Sequence, residues 1–505
     1  MIRLFGIETE YGITREDINQ LDPVQLDPVV ESMELVRSHR RPFRSDWDYS
    51  GEDPKQDARG FRAKELQQEK EELEFEKHDR HRPFSFHEMK SDLMLGNGAR
   101  FYNDHTHPEY STPECGTLKS LVAHDRAGER ILLDCAKRRN QVLGFEGAVQ
   151  LYKNNSDFHG HSYGCHDNYM LPRSLPFSDL VTFLIPFLVT RQIYAGAGKV
   201  GIESGNDYTQ GLYQLSQRAD FMEVEASIDT MHQRPILNTR DEPHADRSLY
   251  RRLHLIIGDA NMSEFATALK IGTTWMVLQL IERGLAPKKA ALQNPVLSVR
   301  ELSRDSTLRQ TIALKDGGTI SSIDHQGLYL EAAKKAFEKG DAETQWILTN
   351  WEATLVALKS DPMQLSDRID WVAKKWLLET FMDAEGVDWT DPRLPSLDLS
   401  YHNIDPERGL FHCLESEGTI HRLIDEAAIQ TAMDNPPLDT RAGVRGLLVQ
   451  KYIDEIRKIQ WESVSFKRAL GERVYPLDRL IDPKDVAAAI DRVQKSRTVD
   501  DIFDA

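Results

Sequence analysis

Cysteine chemistry is missing from this chain. Four cysteines, Cys115, Cys135, Cys165 and Cys413, are spread over 505 residues without a C-x-x-C pair, which excludes common zinc spacings and a disulfide framework. Long apolar runs are missing too. The most hydrophobic helical stretch, Phe265 to Ile281, contains Lys270 and Gln279 and is short for a membrane span, so a core helix is expected there. A basic surplus is absent: 63 Lys and Arg face 81 Asp and Glu, a formal net charge of −18. A general nucleic-acid binder displaces counterions with a basic surface, so neither nucleic acid nor membrane is an expected partner. There is no GxxxxGK[ST] loop or helix-opening GxGxxG, and Ala195-Gly-Ala-Gly198 is too short to cradle phosphate. Met1 leads directly into a strand-like segment with no basic, apolar leader, and the cytoplasm is the expected location.

What the chain does have is acid placed on strands. Ile2 to Thr14 alternates, with Phe5, Ile7, Tyr11 and Ile13 on one side and Glu8 and Glu10 on the other. Two neighbouring carboxylates repel unless a cation or donor lies between them. Asn97 to Glu114 reads as a strand followed by a Pro-containing turn, with Arg100, Tyr102 and Asp104 on one face and Phe101 and Asn103 on the other. His105, His107, Glu109 and Glu114 follow. Two readings stand at this point: solvated polar strand ends, or a site that holds a hard cation through oxygen ligands and moves protons.

The length allows a large core and more than one folding unit. Helices are expected over Pro23–Val36, Leu118–Asn140, Ser263–Glu282 and twice within 341–382, including the run from Trp371 to Phe381. Further strands are expected at 141–153, 216–226 and 253–257. Strands and helices without regular alternation suggest an α+β fold. Residues 37–82 form a charge-dense insertion whose few large apolar groups include Trp47, Tyr49 and Phe61, read here as a flexible lid-like loop rather than an inert linker. Lys64 to Lys77 within it is either a charged helix or disordered. The turn at Asn435-Pro-Pro separates a small C-terminal unit, 435–505, from the large domain, 1–434.

Three more polar clusters lie apart from these strands. They are Tyr152–Asp157 with His161–Asn168, Ser216–Asp220 containing Arg218, and Asn238–Asp246 containing Arg240 and His244. An arginine can grip phosphate or carboxylate bidentately, and a neutral imidazole can ligate metal.

With these residues assembled, the chain resembles the Pup ligase and Pup deamidase/depupylase family. The resemblance rests on GIETEYG at Gly6, NGARFYNDHTHPEYSTPE at Asn97, YKNNSD, SYGCHDNY, SQRAD, NTRDEPHAD, RRLHLIIGDANMSE, DWVAKKWLLE and DTRAGVRG. Trp47-Asp-Tyr with Asp57-Ala-Arg-Gly-Phe61 resembles a loop found in the deamidase branch and lacking in the ligases. The resemblance implies a glutamine synthetase-like large domain whose curved antiparallel sheet carries the active site, packed by helices, plus a small C-terminal domain. It implies ATP and Mg²⁺ as cofactors, with a Pup-like modifier and pupylated substrates as partners in a proteasome-linked setting. By the same resemblance Asp104 is the catalytic aspartate. Glu8, Tyr102, Glu109, His166 and His244 hold Mg²⁺. Glu10, Ser111, Thr112, Asn168 and Arg240 contact ATP or its metal, and Arg218 receives the C-terminal region of the modifier. The implied reaction is ATP-dependent hydrolysis of the isopeptide bond between modifier and lysine, with deamidation where the modifier ends in Gln. The alternative is a ligase working through a γ-glutamyl phosphate. Cys165 and Asp167 depart from the family pattern, where Thr and Glu are common, and His159 and His161 are additions to it.

Overall fold

The computed structural model describes residues 3–16, 27–41, 47–67, 77, 82–204, 207–230, 232–468 and 471–503. Its centre is a six-stranded sheet built from β1 (Phe5–Glu10), β2 (Leu93–Met94), β3 (Arg100–Asp104), β4 (His107–Ser111), β5 (Cys165–Pro172) and β6 (Tyr250–Leu255). The strand order is β6–β5–β1–β4–β3–β2, and every neighbouring pair is antiparallel. Antiparallel sheets can cover one face with core and leave the other open, and this one does. Phe5, Ile7, Tyr169, Leu171, Leu253 and Leu255 are buried in one apolar cluster, while the alternate positions carry the acids.

Helices Leu118–Leu143, Phe177–Ala195 and Glu264–Glu282 supply much of the rest of that cluster. Thr117 caps the first by accepting from the Ser120 amide, and Gly144 ends it at φ 73°, a backbone conformation that glycine enters without a Cβ clash. Glu264–Glu282 is buried on all sides, as expected of a core helix. Its Lys270 is satisfied by the Asp259 carbonyl at 2.8 Å.

The α+β expectation holds, with local corrections. The first strand is not continuous. β1 ends at Glu10, and Gly12–Arg15 pairs instead with Val149–Tyr152 in a separate two-stranded sheet. Gln141–Leu143 prolongs the long helix rather than opening a strand. Arg218 precedes a short 3₁₀ turn, Ala219–Phe221, and the strand begins only at Val224. Cys165 and Asp167 lie on the core face of β5, where Asp167 pairs with Arg191 at 2.6 Å, so those departures turn away from the acids.

The C-terminal stretch contains helix Arg441–Tyr452, the antiparallel sheet of Ile456–Gln460, Ser463–Arg468 and Gly471–Pro476, and helix Pro483–Lys495. It has its own apolar cluster, which also takes in Trp47 and Met94. Trp47 bridges to Ile459, and Asp57 bridges to Arg240. The 47–67 part of the insertion is therefore packed on both its neighbours. Most of Lys64–Lys77, with its expected charged helix, lies outside the described residues, as do 42–46 and 78–81.

Candidate active site

Strand register assembles the site. Glu8 stands opposite Ser111 on β4 and His166 on β5, while Glu10 stands opposite Glu109, which in turn stands opposite Tyr102 on β3. Asp104 pairs with His107 at the next position on that face. Directly paired residues share a face, so one surface of the sheet gathers Glu8, Glu10, Tyr102, Asp104, Glu109, Ser111, His166 and Asn168. Gly164 makes room beside them: a Cβ there would lie 2.2 Å from His166 Nε2 and 2.8 Å from Glu10 Oε1.

Among the described residues, two donor sets result. Oxygens of Glu10, Asp104 and Glu109 all lie within 4.8 Å of one another, as do ligand atoms of Glu8, His166 and His254. The first set offers only carboxylate oxygen, which suits a hard divalent ion. Its electrostatics are those of a site that fits a cation. Burial and the repulsion of Asp104, Glu8 and Glu10 hold the Glu109 carboxyl well above its ordinary range, and a positive charge would relieve this. In the second set the Glu8 carboxylate accepts from Arg252 at 3.2 Å and lies 3.3 Å from both His166 and His254. Burial opposes its ionisation, but the two imidazoles and Arg252 outweigh it and keep Glu8 well below the usual range. His254 is neutral, pushed down to about 3 by burial and Arg252. Neither of its buried ring nitrogens has a well-directed hydrogen bond.

Asp104 sits at the far end of this face. Lys90 donates to its Oδ1 at 2.5 Å, and His105 Nδ1 lies 3.3 Å from the same oxygen. Burial would raise the carboxyl, yet these two groups hold it well below the carboxylate range. Next to it, Arg100 is enclosed by aromatic rings: its guanidinium lies 3.9 Å from the ring centres of both Trp47 and Tyr102. Asp92 accepts from Arg100 Nη2 at 2.6 Å.

The remaining expected site residues are spread around this face. Ser111, Thr112, Asn168 and His244 line a narrow cleft of about 70 Å³ together with Glu8, Arg252 and Arg441. Thr112 already accepts from the Ile7 amide at 3.0 Å, and Asn168 accepts from Arg252 at 2.8 Å. His244, neutralised by burial and Arg252, is 3.9 Å from Glu462 and belongs to neither donor set. Arg240 donates to the Ile228 carbonyl and to Thr230. Arg218 is buried, donating to the Tyr163 carbonyl at 2.7 Å, and its Nε has no partner. Burial and Arg234 push its guanidinium down to about 10. Glu114 is a structural clamp, bound by Arg441 at 2.8 Å and by Arg445.

Residues 3–465 match the model of one family, the Pup-ligase proteins. The chain belongs to the Pup-ligase family. A depupylase from Acidothermus cellulolyticus is 45% identical over 471 residues, covering 92% of this chain and 91% of that protein. The crystal structure of the prokaryotic ubiquitin-like protein Pup with its ligase PafA superposes with a TM-score of 0.77 at 32% identity, covering 98% of this chain and 91% of the ligase. The Pup ligase PafA in complex with ADP gives 0.72 at 34% identity, covering 86% and 96% respectively.

Within this Pup-ligase-family site, sequence reasoning missed Lys90, Arg252 and His254. The last two had a readable signal: Arg252-x-His254 alternates on a strand, which places both side chains on one face. Lys90 had none. It sits on the five-residue helix Phe86–Lys90, and only the tertiary fold brings it to β3.

Proposed function

We propose that this chain is an ATP- and Mg²⁺-dependent depupylase. It hydrolyses the isopeptide bond between a Pup-like modifier and substrate lysines, and deamidates the modifier where that ends in Gln. One observation carries the reading: an ionised aspartate, Asp104, beside a carboxylate-lined sheet face, in a chain 45% identical over nine-tenths of its length to a depupylase. A Pup–protein ligase matches at 44% identity but over 72% of this chain, against 92% for the depupylase, so the ligase alternative is not favoured. The ADP complex of a family member supports nucleotide binding here.

Glu10 and Glu109, with Tyr102 beside them, would hold Mg²⁺. Glu8, His166 and His254 form a second donor set, with His244 nearby in the cleft. Ser111, Thr112, Asn168 and Arg240 are the proposed nucleotide contacts, and Arg218 is the proposed modifier contact. When bound, Mg²⁺ would supply positive charge that stabilises developing oxyanion charge. The protein's own residues then account for the bond cleavage. Asp104, ionised beside the carboxylate-lined face, is taken in this proposal as the nucleophile that attacks the amide carbon. Lys90 and His105 keep it ionised. Its attack forms an acyl–Asp104 anhydride as the C–N bond breaks, and the departing lysine amine takes its proton from solvent. Water then hydrolyses the anhydride and returns Asp104 as a carboxylate. The division at residue 434 belongs to this proposal, with 435–505 clamping the sheet through Arg441 and Arg445. So does the cytoplasm as compartment, since ATP is available there; no described helix is long and apolar enough to cross a membrane.

The test is a paired assay with Mg²⁺ and ATP. Purified Pup–substrate conjugate should yield free substrate and free Pup, while free Pup plus acceptor protein should not be joined. Conjugation with stoichiometric ADP release would establish the ligase alternative instead.

A further inference from the structure

Lys90 stands where a chance surface lysine would not. Its ammonium lies 2.5 Å from Asp104 Oδ1 and 5.7 Å from the Tyr102 ring centre, with the side chain only 17% exposed. His105 approaches that same oxygen, so both partners meet Oδ1 and Oδ2 makes neither contact. Among the acids of this face, Glu8 has Arg252 as its counter-charge, and Lys90 serves Asp104.

The carrier of Lys90 is fixed independently. A five-residue helix is too short to persist by itself, yet three sets of contacts hold this one. Ser85 and Glu88 form a reciprocal capping box at its start. Asn103, the neighbour of Asp104 on β3, donates to the Met89 carbonyl at 2.9 Å. The Phe86 ring meets Tyr49 of the insertion edge-on at 5.0 Å. Helix and strand are thus locked together one residue away from the Lys90–Asp104 pair on each side. Exposed ion pairs contribute little because two mobile side chains must be ordered; here both ends are already ordered.

We infer that Lys90 is a positioning residue for the isopeptidase reaction, fixing Asp104 through Oδ1 so that Oδ2 is the oxygen presented to the scissile amide. This rests on the reading of Asp104 as the acting carboxylate. Lys90 forms no bond to substrate and transfers no proton in this role. Its contribution is geometry and charge balance among Glu10, Glu109 and Asp104, and misplacement of a reacting group by about 1 Å costs about 100-fold in rate.

The experiment compares Lys90→Met, Lys90→Arg, Lys90→Ala and Asp104→Asn in the full-length protein with Mg²⁺, ATP and a Pup–substrate conjugate. Circular dichroism and thermal melting check each fold. The expected result is a kcat about 100-fold lower for Lys90→Met with KM little changed. Lys90→Arg should retain a substantial fraction of kcat, and added ethylammonium should raise the kcat of Lys90→Ala. A merely structural lysine would not give this charge-specific rescue. A Lys90→Met variant with near-normal kcat overturns the inference, as does Lys90→Arg failing equally with no response of Lys90→Ala to ethylammonium. Asp104→Asn separates the two claims. If it stays active, the reading of Asp104 falls; if it is inactive while Lys90→Met is active, only the role of Lys90 falls.

Discussion

Glu8 on β1 and His254 on β6 meet across the strand that separates them, with Oε2 3.3 Å from Nε2. The imidazole is buried and neutral, and neither ring nitrogen is satisfied by a well-aligned bond. An unsatisfied buried polar group costs about 1–3 kcal/mol, a cost that a ligand at this position removes. His254→Ala should therefore weaken Mg²⁺–ADP binding at least about tenfold, a loss typical of groups that hold or orient metal ligands, with the folded far-ultraviolet circular dichroism spectrum retained. Isothermal titration calorimetry reads this directly. Unaltered affinity would make His254 a core histidine.

Glu109 gives a second prediction. Burial and three neighbouring carboxylates favour its protonated form, and metal ligands must be deprotonated. Loading Mg²⁺ should release protons. Titrations in two buffers of different ionisation enthalpy should show this release for the wild type and a smaller one for Glu109→Gln.

The Glu114 clamp predicts a pH dependence of stability. Burial opposes ionisation, but Arg445 and Arg441 pull the carboxyl from 4.5 down to about 2. A depressed folded-state value stabilises above the unfolded value and is lost as pH falls through the folded one, so the contribution is complete above about pH 4.5 and gone below about 2. Glu114→Gln should cost about 3 kcal/mol at pH 7, and urea unfolding should show the gap to wild type narrowing by pH 3.

Asp57 ties the insertion down. It is fully buried and accepts from Thr239 Oγ1 at 2.6 Å and from the Arg59 amide and side chain. Asp57→Ala leaves those donors without their acceptor, at about 1–3 kcal/mol. Trypsin should then cut at Arg59 and Arg62 faster than in the wild type, at enzyme concentrations that leave the rest of the chain intact.

Much of this site was legible because strands alternate. Glu8 with Glu10, and Tyr102 with Asp104, were placed on shared faces from period two alone, and register then brought the two faces together. Residues that depend on distant packing were not legible. Lys90 reaches Asp104 from a separate helix. Glu114 sits in the same motif as Glu109 yet is claimed by arginines more than 300 positions later, which no local pattern reports. A strand is expected over 216–226, but the 3₁₀ turn at Ala219–Phe221 overrides it beside Arg218. Trp47 and Asp57 sit in a charge-rich insertion with little apolar content of its own, and they pack because neighbouring units supply the partners.

The most direct measurement follows release of a fluorescent substrate from its Pup conjugate by Asp104→Asn with Mg²⁺ and ATP, alongside Pup binding by anisotropy. The predicted result is loss of release with Pup affinity retained. Release at the wild-type rate would contradict the assignment of Asp104 and the mechanism built on it.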